Sequence, residues 1–96
     1  MTKSDIVNEV SSKTGLTKVE IEIVLDAIIN SIKTSLSKGE RVDIRGFGSF
    51  IIKKRVAREA RNPATNEQIF LNERYIPFFK VSKLFKEFVN KEMKSI

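Results

Sequence analysis

The sequence predicts an α+β fold: two N-terminal helices, a three-stranded antiparallel sheet drawn out into a long β-ribbon arm, and a C-terminal helix. Three observations carry this. Helix-start signals occur twice in quick succession near the N-terminus. The spacing of apolar residues changes from helical to alternating after Arg41, and a polar tract at 53–68 is flanked on both sides by strand-like alternation.

The first helix has a complete start. Thr2 is placed as N-cap, Asp5 three residues on answers it, and Met1 can pack on Ile6 as a hydrophobic staple. Ile6, Val7 and Val10 make the apolar face, and Gly15 after Thr14 can take a left-handed cap conformation. The same grammar repeats with Leu16, Thr17 as cap, Glu20 at the third helical position and Ile21 at the fourth. This second helix runs to about Ser37 and is closed by Gly39. Its apolar residues overflow one stripe: Ile21, Leu25, Ile28, Ile32 and Leu36 form a seam, while Ile23, Val24, Ala27 and Ile29 spread beyond it. Such a helix needs cover on more than one side. Either it is central in a monomer, or a second copy covers it.

Val42 and Ile44 alternate with polar neighbours as a short strand, and Gly46-Phe47-Gly48 makes a turn. Glycines on both sides of one Phe indicate backbone conformations or close approaches that a side chain would prevent, with Phe47 directed into the core. A second strand follows through Ser49, Phe50, Ile51 and Ile52. Apolar content then collapses until Ile69 and Leu71, after which alternation continues through Tyr75, Pro77 and Phe79. With turn residues clustered at 62–67, this is one long hairpin with an apolar base and a polar distal part. An isolated two-stranded ribbon is marginal in water, so the distal part cannot rest on a core of its own. From Ser82, Leu84, Phe85, Phe88, Val89 and Met93 share one helical face, and Lys83, Lys86, Glu87, Asn90 and Lys91 lie largely on the other.

Composition excludes several classes of function. A chain of 96 residues is the size of one small domain, and it contains no cysteine and no histidine. Disulfides, thiol nucleophiles, the usual zinc ligand sets and imidazole acid–base chemistry are therefore absent. The carboxylates are scattered, no base stands ready to activate a serine, and no Gly-rich phosphate loop is present. The expectation is a non-enzyme with no cofactor, no metal and no small-molecule substrate. No signal-peptide pattern or membrane-length apolar run occurs, so a soluble, cytoplasmic protein without a membrane partner is expected.

The net charge of +6 is unevenly placed. Up to residue 52, Lys3, Lys13, Lys18, Lys33, Lys38, Arg41 and Arg45 balance Asp5, Glu9, Glu20, Glu22, Asp26, Glu40 and Asp43. The whole excess lies from Lys53 onward, and it is densest where Lys53, Lys54, Arg55, Arg58 and Arg61 face the single Glu59. On a ribbon with strict alternation, Lys53, Arg55 and Arg61 share one face and Lys54 and Arg58 the other, unless a bulge shifts the register. Cations on both faces suit a groove walled by phosphate on both sides. The competing explanation is that they keep an exposed edge from pairing with another chain.

Four stretches of this sequence resemble the bacterial HU and integration host factor family: Thr2-Lys3-Ser4-Asp5-Ile6-Val7, Arg45-Gly46-Phe47-Gly48-Ser49-Phe50, Arg61-Asn62-Pro63-Ala64-Thr65 and Pro77-Phe78-Phe79-Lys80. The likeness spans nearly the whole chain. It implies an intertwined dimer formed by one domain, 1–96, with a helical dimerisation base at 1–39. A β-saddle at 40–80 carries the arm at about 53–74, and a C-terminal helix occupies 81–96. It also implies a nucleoid-associated protein whose partner is double-stranded DNA, including bent, nicked or four-way forms, gripped by two arms in the minor groove. Carried over residue by residue, Pro63 resembles the wedge that enters between base pairs, a task that suits a compact, rigid, apolar residue without an N–H. Arg58 and Arg61 resemble minor-groove and sugar-phosphate contacts, with Asn62 positioning the tip. Lys3, Lys80, Lys83 and Lys86 resemble phosphate contacts on the body, Lys53 and Arg55 those at the arm base, and Arg45 and Arg74 complete the DNA-binding set. Phe47, Phe50 and Phe79, with Leu25, Ile28, Ile29, Ile32 and Leu36, resemble the dimer interface.

Two positions depart from the family pattern. Asn66 stands where the family usually has Gly after the tip threonine, and Val81-Ser82 replaces its common Pro-Gly before the last helix. Asn is the next most tolerant residue for a left-handed turn, and Ser82 can cap the helix instead. HU-type binding with little sequence preference is the leading reading. A site-specific integration host factor-type subunit, a protein-interaction module and a single-stranded nucleic-acid binder are the alternatives.

Overall fold

A computed structural model describes all residues, 1–96, in the order α1 (Lys3–Thr14), α2 (Lys18–Ser37), β1 (Val42–Ile44), β2 (Gly48–Arg55), β3 (Arg58–Arg61), β4 (Gln68–Leu71), β5 (Arg74–Val81) and α3 (Lys83–Lys94). Residues 1–34 and 35–96 form two compact units. The α+β architecture is therefore the expected one: two N-terminal helices, an antiparallel sheet with a ribbon arm, and a C-terminal helix.

In the N-terminal unit the caps form as the side chains dictate. The Thr2 hydroxyl accepts from the Asp5 N–H at 3.3 Å, and the Thr2 N–H donates to Asp5 Oδ2 at 2.8 Å, so two otherwise orphaned donors are satisfied. Gly15 closes α1 with φ 78°, donating its N–H to the Ser11 carbonyl. The Thr17 hydroxyl then accepts from the Glu20 N–H at 3.1 Å and starts α2. Only Val7 and Ile21 are buried among the apolar side chains. Ile23 and Val24 beyond the seam, and Ile28 within it, remain more than half exposed, so α2 is only partly covered in a single chain.

In the second unit the sheet has strand order β1-β2-β5, and β3-β4 form a separate two-stranded ribbon. The register sets Val42 against Phe50 and Ile44 against Gly48, then Phe50 against Phe79 and Ile52 against Pro77. The glycines of the β1–β2 turn have different reasons. Gly46 sits at φ 83°, a left-handed conformation that L side chains resist. At Gly48 the backbone passes so close to β5 that a Cβ would lie 2.6 Å from both the Lys80 carbonyl oxygen and the Phe79 ring. That closeness lets Phe47 reach Phe79 (ring centroids 5.0 Å apart) and stack on Phe85 of α3 at 5.1 Å, while Phe50 lies 4.9 Å from Phe79. The Ser82 N–H donates to the Phe47 carbonyl and the Ser82 hydroxyl caps α3 by accepting from the Phe85 N–H, so the turn and the helix start are tied together.

The ribbon continues the β2–β5 hairpin. Arg55 faces Arg74 and Arg58 faces Leu71, with Val56-Ala57 and Asn72-Glu73 unpaired between them. Both strands skip the same number of residues, so no residue is inserted and the register is kept.

Replacing Gly48 with Ala should cost about 1–3 kcal/mol through overpacking against Phe79 and the Lys80 carbonyl. Gly46→Ala, which meets open space but keeps φ positive, should cost about 1–2 kcal/mol. Urea unfolding at fixed chain concentration measures both; a Gly48→Ala chain as stable as wild type would contradict the close packing.

Candidate nucleic-acid interface

Successive strand residues point to opposite faces, so the register divides the three-stranded sheet into two unlike surfaces. One carries Val42, Ile44, Phe50, Ile52, Pro77, Phe79 and Val81, the face on which the aromatic cluster forms. The other carries Asp43, Ser49, Ile51, Lys53 and Arg55 with Arg74, Ile76, Phe78 and Lys80. The basic residues of the sheet thus collect on the face away from the aromatic cluster; Lys54, at the arm root, is the exception, and it pairs with Glu73 at 3.4 Å.

At one end of the basic face Asp43 organises its neighbours. Its Oδ1 accepts from the Ser49 hydroxyl and from Arg41 Nη2 at 2.8 Å. The Ser49 hydrogen bond first, and the Arg41 guanidinium second, hold the Asp43 carboxyl below the usual aspartate range. Beside this network Arg45, Lys80 and Lys83 line an open groove together with Ser49 and Ser82, at the N-terminus of α3. No acidic residue occupies the first turn of that helix, so its positive dipole end adds to the local cations. Further toward the arm, the Lys53 ammonium lies 3.7 Å from the centroid of the Phe78 ring.

The arm tip is built by Asn62. Its side-chain oxygen accepts from the Ala64 N–H at 2.9 Å, and its backbone pairs with Glu67 and Asn66, which closes the turn. Asn66 is the sole non-glycine residue with positive φ, at 60°, and its side chain accepts from Arg61 at 3.4 Å. The turn is therefore kept with Asn in the left-handed position. Pro63 stands exposed at its apex. Arg58 and Arg61 fall on opposite faces of the ribbon, Arg58 with Ala60 and Arg61 with Glu59, as alternation predicts. Neither they nor Arg55, Lys80 and Lys86 pair with a carboxylate.

Lys3 belongs to the N-terminal unit, where it is engaged: its ammonium lies 2.6 Å from Asp26 and 3.9 Å from Glu22. The hydrogen bond to Asp26 raises its pKa further. Of the apolar positions expected at a dimer interface, Ile28, Ile29 and Phe47 are exposed, and Leu25, Ile32, Leu36, Phe50 and Phe79 are half-buried.

A protein-family model described as Bacterial DNA-binding protein matches residues 1–90. The chain belongs to this family, the bacterial HU-type DNA-binding proteins. It is similar to the DNA-binding protein HU of Clostridium pasteurianum, with 43% identity over 91 residues that make up 95% of this chain and 100% of that one. The DNA-binding protein HU of Thermotoga maritima is 43% identical over 87 residues, 91% of this chain and 97% of its own. Among solved structures, the HU chain of an Anabaena HU–DNA cocrystal superimposes with a TM-score of 0.84 at 40% identity, covering 93% of this chain and 97% of that one. HU-family proteins bind DNA and are not enzymes, which agrees with the lack of catalytic residues in the sequence.

Three features of this surface and its surroundings depend on partners distant in sequence. Phe78 and Phe79 are adjacent in the Pro77-Phe78-Phe79 run, yet their rings point to opposite faces, a consequence of strand alternation. Phe85 joins the aromatic stack through α3, and no local pattern announces that. The Asp26 partner of Lys3 lies on another helix, so only the packing of α1 against α2 reveals it.

Acid should weaken this arrangement. Asp43 and Asp5 both have folded pKa values depressed by hydrogen bonds, so the stability they contribute is present above the unfolded aspartate value of about 3.9 and is lost as pH falls through the folded values. Urea midpoints measured between neutral pH and about pH 3 should fall at the acid end, and Asp43→Asn should make that fall shallower.

Proposed function

We propose that this protein is an architectural, nucleoid-associated DNA-binding protein that binds duplex DNA as a homodimer with low sequence specificity. In this reading the basic sheet face and the α3 N-terminus meet phosphates, the arms follow the minor groove, and Pro63 enters between base pairs to bend the duplex. The observation that carries the reading is the two-faced sheet running into the ribbon: cations without carboxylate partners gather on one side and continue onto an exposed, proline-tipped arm.

The physics of each part fits. Arg55, Arg58 and Arg61 offer planar forks for phosphate and can enter a narrow minor groove. Asn62 fixes the turn that presents Pro63, and proline leaves no N–H unpaired when inserted in a base stack. Minor-groove architectural proteins, HU among them, kink DNA with apolar wedges of this kind. Affinity through phosphates and duplex deformation needs no base-reading side chains, which is why low specificity and a preference for bent, nicked or four-way DNA follow. The homodimer rests on the exposed apolar residues of α2, Ile23, Val24 and Ile28, and of α3, Leu84, Phe88 and Met93, which a second copy would bury.

Affinity for duplex DNA should drop steeply with salt, by on the order of 0.9 log units per log unit of salt for each phosphate contacted. A shift assay across salt concentrations on linear, nicked and four-way DNA checks this, and a flat response would reject the DNA reading in favour of a protein partner. Pro63→Ala should keep most of the affinity and reduce the bend measured by end-to-end energy transfer on a nicked duplex. An unchanged bend would leave Pro63 as a turn residue only.

A further inference from the structure

We propose that Phe78 is a positioning residue for Lys53: its ring holds the lysine ammonium on the basic face at the root of the arm, ready to meet a phosphate without first leaving a carboxylate. This rests on the DNA-binding reading above and adds a residue to it.

The register makes the pair. Lys53 stands opposite Ile76, and Phe78 opposite Ile51, so the two are diagonal neighbours on one face of the β2–β5 pair, within reach of a long side chain. The ammonium lies 3.7 Å from the ring centroid, well inside the range of about 6 Å over which a ring quadrupole attracts a cation. Lys53 is half-buried and has no carboxylate partner, whereas its neighbour Lys54 pairs with Glu73 and Lys3 pairs with Asp26. Phe78 is 42% exposed and stands apart from the cluster of Phe47, Phe50, Phe79 and Phe85. Core packing therefore does not account for an aromatic ring at this position.

The difference between a ring and a carboxylate is what gives the pair its use. A carboxylate cancels the lysine charge and must be displaced before a phosphate can take its place. A ring orders the same flexible stem while leaving the full positive charge in place. It engages one side of an ammonium that has three N–H donors, so donors remain for an incoming oxygen. Part of the ordering that binding would demand of Lys53 is thus already present in the free protein.

The test is a double-mutant cycle read by two methods. In the free protein, the Lys53 Hε proton resonances should be shifted upfield by the Phe78 ring current, keep that shift in Phe78→Tyr and lose it in Phe78→Leu. In duplex binding, Phe78→Leu should weaken affinity about two- to fivefold, Phe78→Tyr should restore it, and Phe78→Leu should add nothing in a Lys53→Gln background. Ordinary Lys53 shifts in the wild type, or a Phe78→Leu loss that persists in full without Lys53, would overturn the proposal. Urea midpoints of each variant identify any that fails to fold; in that case the wild-type resonances and the Phe78→Tyr arm still decide. If the wild type binds no duplex at all, the DNA reading itself falls; binding by the wild type without coupling between the two residues removes only the role of Phe78.

Discussion

The register of β2 on β5 is the constraint on which the rest of this molecule depends. It is held where Gly48 passes the Lys80 carbonyl and the Phe79 ring with no room for a side chain. A slip of one residue would exchange the faces of every side chain on the strand. Phe50 would leave the aromatic cluster, and Lys53 and Arg55 would leave the basic face for the one on which that cluster forms. The apolar cluster and the basic surface are therefore two results of one alignment. The hydrogen bond from Ser82 to Phe47 ties the start of α3 to the same turn, which sets Lys83 beside Arg45 and Lys80.

The cations divide by how they are held. Lys3, Lys54 and Arg41 are paired with carboxylates and are partly neutralised locally. Arg55, Arg58, Lys80 and Lys86 have no such partner, and Lys53 is ordered by a ring. Exposed ion pairs are worth little in stability, so this division matters less for folding than for which charges a polyanion meets at full strength. The unpaired cations run from the sheet into the ribbon without an inserted residue, and the whole basic track keeps one alternation.

An apolar shortage complements this basic surplus. With Val7 and Ile21 the only buried apolar side chains, a single chain leaves Ile23, Val24 and Ile28 of α2 and Leu84, Phe88 and Met93 of α3 exposed. The same incompleteness leaves the ribbon without a core of its own, its tip shaped by local hydrogen bonds of Asn62 and by the left-handed Asn66.

Local chemistry was legible from the sequence alone, because caps, turns and alternation act between residues a few positions apart. Thr2 with Asp5, Thr17 with Glu20, Gly15, Gly46, the 62–67 turn and the Ser82 cap all stand where their residue types place them. The polar arm and its charge density were equally legible, as was the family likeness that its tip motif carries. Tertiary structure decided what depends on pairing distant segments: that Gly48 is needed for a close approach, that Phe78 and Phe79 serve opposite faces, that Phe85 completes the aromatic stack, and that Lys3 is held by Asp26 while Lys53 is held by a ring. Residue type states what a side chain can bind, but only the strand register and helix packing determine which partner lies within reach.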